Sequence, residues 1–376
     1  MMGNPLRKEI HLEPEISTVG QGNLLSQERV TVVCLDPRTD QLWQRLLAQH
    51  RSSVFHSPAW VRVLTETYGL DLQAYVLLDR TEEPRAGVPF CRFADITGER
   101  MVILPFSDYC DPLVRDRSDW NDLMENLLSH RCPLLLRCLH SDLPIADPRF
   151  MLSKQAKWHC IDLRPDLDHL WAGLHDSSKR AIKKAQRDAV IVRVAETEKE
   201  LRAFFDMHLR IRKRKYRLLA QPYRFFENIW HHFVETQNGA LMIAVYQDEI
   251  IGGTFFLEWN DTLYYKFNAS VPAHLDHRPN DLLIWEGMQY GKTKGYKVFD
   301  FGLSDWDEEG LVRYKRKFAT EEKTLSFLRY VPGDTPTAQE MQARALLPAL
   351  TQLFTDDSVS DQVTEQAGEL LYRFFA

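Results

Sequence analysis

The sequence predicts a mixed α/β (α+β) protein of two tandem units, with mixed sheets flanked by helices and a helical tail at the C-terminal end. Three observations carry that prediction. The chain has 376 residues, more than one ordinary domain needs. Residues 74–93, AYVLLDRTEEPRAGVPFCRF, and residues 241–259, LMIAVYQDEIIGGTFFLEW, both read as strand, polar turn, small residue with glycine, strand. Self-similarity at such long separation points to a duplicated unit. The third is residues 298–318, VFDFGLSDWDEEGLVRYKRKF, an apolar strand, an acidic loop and an amphipathic helical turn. The expected divisions are a polar lead at 1–28, a first unit at 29–165, a second at 166–331 and the tail at 332–376.

Composition narrows the function. Apolar residues at 44% supply real cores, and 27% charged residues argue for a folded, soluble chain. A net charge of −6 gives no global attraction to nucleic acid or anionic membrane, so DNA is not an expected partner and any polyanion needs a local basic patch. The six cysteines (Cys34, Cys91, Cys110, Cys132, Cys138, Cys160) form no CxxC pair and no Cys/His spacing for zinc. They read as reduced, packed thiols, and no metal is expected. The opening MMGNPLRKEIHLEPE has no apolar signal core, and no run is long enough to span a bilayer. The expected location is cytoplasmic, which is compatible with a substrate at a membrane surface.

In the first unit, residues 30–35 form a strand and 40–48 a helix. Ser57 is the expected N-cap of the next helix, with Pro58 at its first position and Gly69 at its end. Strands follow at 72–78, 86–96 and 101–106, then a loop at 107–112, a helix at 120–128 and strands at 134–139 and 158–163.

The second unit turns helical and basic. A helix at 167–174 is followed by Asp176, Ser177 and Ser178 as caps for a helix carrying five cations at 179–187. After a strand at 190–194 comes a long helix at 198–216 that ends among six cations at 210–217, then a helix at 225–234. Strands at 241–246, 250–258 and 263–269 precede a helix at 279–294 that stops on Gly295. A strand at 325–330, a linker at 332–334 and two tail helices complete the chain.

Three constellations have chemical meaning. The two basic helices, with Arg180, Lys183 and Arg212 among their cations, predict one phosphate-binding surface in an otherwise acidic chain, although most charge runs are solvated faces. Gly252-Gly253 permits close backbone approach, and two splayed strands there would form an acyl slot; an ordinary antiparallel core with a bulge fits equally. Leu311, Tyr314, Lys315 and Phe318 share one helix face, and Lys315 alone of the neighbouring cations lies on it. A cation aimed inward beside a strand end can stabilise developing negative charge. More often such a lysine lays its stem on a neighbour, here Tyr314, and keeps its head in water. Asp300 points opposite to Phe299 and Phe301 if its strand is regular, to orient an amine, to hold Lys315 or to face solvent.

The order of a helix, two basic helices, a hairpin with Gly-Gly, Tyr264-Tyr265-Lys266-Phe267-Asn268-Ala269-Ser270, Phe299-Asp300-Phe301-Gly302 and Tyr314-Lys315-x-x-Phe318 resembles the FemAB-like branch of the GNAT acyltransferases. The likeness spans roughly residues 30–332, with residues 55–60 and 104–109 in the first unit. It implies two GNAT-like domains with the acceptor site in the cleft between them. It also implies acyl or aminoacyl transfer that makes an amide on an amine, on a cell-envelope or peptidoglycan-type precursor with aminoacyl-tRNA as donor. The lysine linked to the reacting centre in that family falls on Lys315, with Asp300 or an acid of 305–309 to position the amine. Tyr314, Asn268, Lys266, Asp108, Tyr109, Arg180, Lys183 and Arg212 are the candidate substrate contacts. No resident cofactor is expected, the donor being aminoacyl-tRNA or acyl-CoA.

Two departures bear on the donor. A CoA-using GNAT would show a glycine-rich loop before the helix at 279, whereas residues 271–278 read VPAHLDHR and Asp281 would repel a pyrophosphate. The helical arm of several tRNA-using members also has no counterpart. A CoA-dependent N-acyltransferase and a non-catalytic scaffold in polysaccharide or envelope assembly are the rival readings.

Overall fold

A computed structural model of the chain describes residues 8–9, 31–333 and 338–376. Apart from residues 8–9, the expected polar lead lies outside the described residues, as does the linker beyond Gly333.

The first unit runs β1 (Lys8–Glu9), β2 (Thr31–Leu35), α1 (Gln41–Gln49), α2 (Pro58–Tyr68), β3 (Leu72–Leu78), β4 (Pro84–Asp95), β5 (Gly98–Val102), α3 (Arg117–Leu128), β6 (Leu134–Cys138) and β7 (Met151–Asp162). Local chemistry sets the helix ends. The Ser57 side chain accepts from the Trp60 N–H, Pro58 opens α2, and Gly69 closes it at φ +65°. Trp60, Val61, Leu64 and Tyr68 then share its buried face.

The second unit runs α4 (Leu167–Gly173), α5 (Asp176–Arg187), β8 (Ile191–Val194), α6 (Glu198–Arg214), α7 (Tyr223–Ile229), β9 (Gly239–Tyr246), β10 (Glu249–Trp259), β11 (Thr262–Ser270), α8 (Pro279–Lys294), β12 (Val298–Asp305), α9 (Glu309–Lys315) and β13 (Glu321–Tyr330). The tail packs back as α10 (Ala338–Phe354) and α11 (Asp361–Leu371). Three local expectations are corrected. His175, not residues 176–178, caps α5 through the Ser177 N–H. The strand expected at 101–106 ends at Val102, and β12 runs through Gly302 as far as Asp305, the first acid of the 305–309 loop.

Among the described residues, thirteen strands form one sheet in the order β1-β2-β3-β4-β5-β6-β13-β7-β12-β11-β10-β9-β8. The expected internal duplication is visible in it. β3, β4 and β5 are antiparallel and β6 joins β5 in parallel; β9, β10 and β11 repeat this, with β12 parallel to β11. The last strand of each unit then crosses over. β7 pairs with β12, and β13 inserts between β6 and β7.

Gly252 and Gly253 show which helices lie on which face. A Cβ on Gly253 would stand 2.9 Å from the Phe204 ring of α6, while one on Gly252 would meet Pro279 and Leu283 of α8. Neighbouring strand residues point to opposite faces, so α6 and α8 cover opposite sides of β10. The glycine pair therefore serves core packing, and β10 and β11 stay paired from Gly252–Ser270 to Trp259–Thr262, so no slot opens between those two strands.

The same geometry separates the basic helices. Ile182 and Ala185 of α5 pack into the core of α8, on the far side of the sheet from α6. The cations near the end of α6 are also occupied by the tail. Lys213, only 2% exposed, holds the Val359 carbonyl and Asp361, and Arg217 pairs with Asp357 at 2.7 Å. The single basic surface expected from the two runs does not form.

Candidate active site

β11 and β12 pair only from Thr262–Val298 to Tyr264–Asp300 and then diverge, opening a fork in the sheet. The register of β11 against β10 shifts at this level: Tyr265 faces Phe256 and Phe267 faces Phe255, leaving Lys266 as an extra residue. That bulge turns Lys266 and Phe267 to one side. The Lys266 ammonium lies 4.9 Å from the Phe55 ring centre and 5.5 Å from that of Trp60, and pairs with the Asp108 carboxylate of the first unit. Across the fork Gly302 has φ +66°, and a Cβ there would sit 2.7 Å from Asp108 Oδ2. Only glycine combines that backbone with that neighbour.

Asp300 is the residue at the base of the fork. Its side chain points away from Phe299 and Phe301, as its strand position requires, and is 2% exposed. Tyr109 donates to Oδ2 at 2.9 Å, Trp158 Nε1 to Oδ1 at 2.8 Å and the Gly302 N–H to Oδ1 at 2.6 Å. Burial nevertheless dominates and pushes the carboxyl up from 3.8 to about 6, because the three donors do not replace bulk water. The reading of Asp300 as a solvent-facing residue is overturned.

Lys315 reaches the far side of the same corner. Its ammonium donates to the carbonyls of Phe301 at 2.8 Å, Gly302 at 3.3 Å and Leu303 at 2.8 Å. All three donors are used, so the head is buried and not in water. Burial lowers its pKa to about 8, against the pull of Asp108 and Asp300 nearby.

A cavity of about 430 Å³ opens beside Asp300, at the junction of the units. Tyr109, Asp111, His140 and Trp158 bound it from the first unit, and Thr262, Tyr264 and Asp300 from the second. Asp111 fixes one wall by accepting the N–H groups of Leu139, His140 and Ser141 at 3.0, 2.9 and 2.9 Å. The His140 ring stands nearly perpendicular to both Tyr109 and Trp158, 5.6 Å from each ring centre. Burial lowers its pKa to about 4, so it is neutral at pH 7.

Five of the residues expected at the site thus meet: Asp108, Tyr109, Lys266, Asp300 and Lys315. Tyr314 lies on the other face of the sheet, packed on Phe318, and its buried hydroxyl has no partner among the described residues. Asn268 sits farther along the fork and donates to Thr254 and Asn280. Arg180 and Lys183 are exposed on α5, whereas Arg212 donates to the Leu219 carbonyl of its own helix end and is not brought to the fork. None of the described residues lining the cavity comes from the acidic loop at 305–309; Asp305 pairs with Lys154 instead. Trp158, Asp111 and His140 were missed. They carry no motif: the crossover of β7 brings Trp158 here, the loop after β6 His140, and the loop between β5 and α3 Asp111.

Comparison with known proteins fits this geometry. Residues 175–316 match the family described as Acetyltransferase (GNAT) domain. No curated protein matches the chain. Among solved structures it is similar to FemX, with a TM-score of 0.59 and 12% identity over 84% of this chain and 99% of that one. It is also similar to L-PGS from Bacillus licheniformis, with a TM-score of 0.53 and 13% identity over 82% and 97%. A tandem GNAT protein from the clavulanic acid biosynthesis pathway gives 0.52 and 13% over 82% and 100%. At these identities the likeness is one of fold. Residues 175–316 thus carry the GNAT domain match, and the chain as a whole shares the fold of tandem GNAT proteins.

Proposed function

We propose that the protein forms an amide by joining an activated acyl group to an amine held in the cavity beside Asp300. The observation that carries this reading is the buried Asp300 carboxyl, shared by the two units and lying both at the fork and on the cavity wall. With three hydrogen bonds already accepted, it has room for one more, and an amine N–H is the natural donor. Lys315 adds positive charge through the 301–303 corner it holds, offsetting the charge that develops on the acyl oxygen.

An aminoacyl ester on tRNA is the favoured donor. Residues Pro272–His277 form a 3-10 turn without glycine, and Asp281 is buried in the first turn of α8, where a CoA pyrophosphate would need free N–H groups and no acid. A cytoplasmic protein acting on a cell-envelope precursor, at a membrane surface if the amine is carried there, fits this donor. Among the described residues no helix is long and apolar enough to cross a membrane.

The test is to incubate the protein with mixed aminoacyl-tRNAs or with acetyl-CoA, each with a panel of small amines, and to follow product mass. Donor-dependent amide formation from aminoacyl-tRNA is expected. Turnover with acetyl-CoA alone would transfer the reading to a CoA-dependent N-acyltransferase, and no turnover with either would overturn it.

A further inference from the structure

We infer that His140 is the base that takes the proton from the attacking amine. This rests on the amide-forming reading above and adds to it a residue from the first unit.

Three histidines line the cavity, and their hydrogen bonds separate them. His50 Nε2 is bonded to the Arg85 carbonyl at 2.9 Å. His56 is engaged at both nitrogens: Nε2 donates to the Asp111 carbonyl at 2.9 Å, and Nδ1 accepts from Ser53 at 2.9 Å. His140 differs, because neither of its ring nitrogens has a hydrogen-bond partner among the described residues. Its ring is nevertheless held in place. Its own backbone N–H is fixed by Asp111, and its ring packs on Tyr109 and Trp158, the two side chains that grip Asp300. Burial and the charges of Arg51 and Lys323 lower its resting basicity, but a half-buried, oriented imidazole with free nitrogens on the cavity wall can take the proton as the C–N bond forms and the amine nitrogen turns strongly acidic.

The step balances as follows. The amine nitrogen, held by Asp300 through one N–H, bonds to the acyl carbon of an ester or thioester donor. The C–O or C–S bond breaks, its electron pair leaves on the oxygen or sulfur, and that atom takes a proton from water at the cavity mouth. The second amine proton passes to His140, which releases it to water at the cavity mouth. Asp300 orients and His140 accepts, so the two units divide the work.

The experiment compares wild type, His140→Ala and His140→Gln with two amines small enough to enter, methylamine and hydroxylamine. Each is paired with mixed aminoacyl-tRNAs and with acetyl-CoA, and melting curves accompany the rates. Hydroxylamine is weakly basic and attacks without a base, so it reports everything except proton removal. With methylamine both variants should lose about 100- to 10,000-fold in rate. With hydroxylamine they should stay within a few-fold of wild type, and added imidazole should restore part of the methylamine rate. Equal losses with both amines, no loss with either, or unfolding of both variants would make His140 a packing residue and overturn the inference. Failure of wild type to acylate either amine would instead overturn the amide-forming reading, and this inference with it.

Discussion

Tyr109, on a loop of the first unit, donates its hydroxyl hydrogen to Asp300 of the second at 2.9 Å. Both groups are buried, and the bond ties a loop to the strand end where the sheet forks. Removing the hydroxyl takes one donor from the carboxylate. In Tyr109→Phe the Asp300 pKa should therefore rise beyond about 6, and the acid limb of a pH–rate profile should move with it to higher pH. An unmoved limb would show that Asp300 does not titrate in turnover.

The Asp300 carboxyl also predicts a pH dependence of stability. Its folded-state pKa, about 6, lies above the ordinary 3.8, so between those values the folded protein holds a proton that the unfolded chain has lost. Stability from this group is complete below pH 3.8 and is lost as pH rises through 6, by about 3 kcal/mol as an order of magnitude. Asp300→Asn has no such loss. Urea midpoints measured from pH 4 to 7 should shift in favour of the variant as pH rises, and parallel curves would refute the assignment. Amide formation in the same variant should fall by about 100-fold or more, the level expected when the group that orients the nucleophile is lost.

Lys315→Met tests the strap across residues 301–303. Three carbonyls lose their donor, and a cost of about 2–4 kcal/mol is expected because buried acceptors are left unpaired. Linkage adds a signature at high pH. The lysine sheds its proton near 8 in the folded protein and near 10.5 when unfolded, so wild type should gain stability across that window and the variant should not. A variant as stable and as active as wild type would exclude the strap and the charge role together.

Gly302→Ala should lose activity and about 2 kcal/mol, part from an alanine at φ +66° and part from displacing Asp108. The second part can be isolated. In the double variant Gly302→Ala/Asp108→Ala the two effects should sum to less than the singles, since the clash has been removed. Strict additivity would mean the Cβ does not meet the carboxylate.

If the donor is a polyanion, α5, of the two basic helices, is the one whose predicted contacts Arg180 and Lys183 are exposed to meet it. Arg180→Ala and Lys183→Ala should each flatten the plot of log affinity against log salt by roughly 0.7–0.9, while Arg212→Ala should leave the slope alone and lower the melting temperature. Titrations of charged tRNA at several salt concentrations would decide it.

Much of this fold could be read from local chemistry. Ser57, Pro58 and Gly69 bracket α2 as expected, because capping depends on residues within one turn. The alternation that put Asp300 opposite its two phenylalanines held because β12 keeps its pairing with both neighbours from Val298 to Asp300 and loses register only beyond it. What local pattern could not give was placement across the sheet. Residues 151–155 of β7 are exposed and polar or mixed, with no period of two, and they are strand only because β13 pairs along them. The bulge at Lys266 breaks the alternation that would have aimed its ammonium. His140 had no partner in sequence to mark it, and the pairing of the α6 cations depends on acids some 150 residues later.

The crossing of the two terminal strands has a consequence for how the chain is made. Trp158, on β7, cannot grip Asp300 until β12 exists, and β6 has no neighbour on one side until residues 321–330 emerge. A ribosome that has delivered the first half has therefore delivered an unfinished edge, open to pairing with any strand that reaches it. The pocket closes last, by long-range pairing. During synthesis the same exchange is open to two chains side by side, each lending the other its final strand.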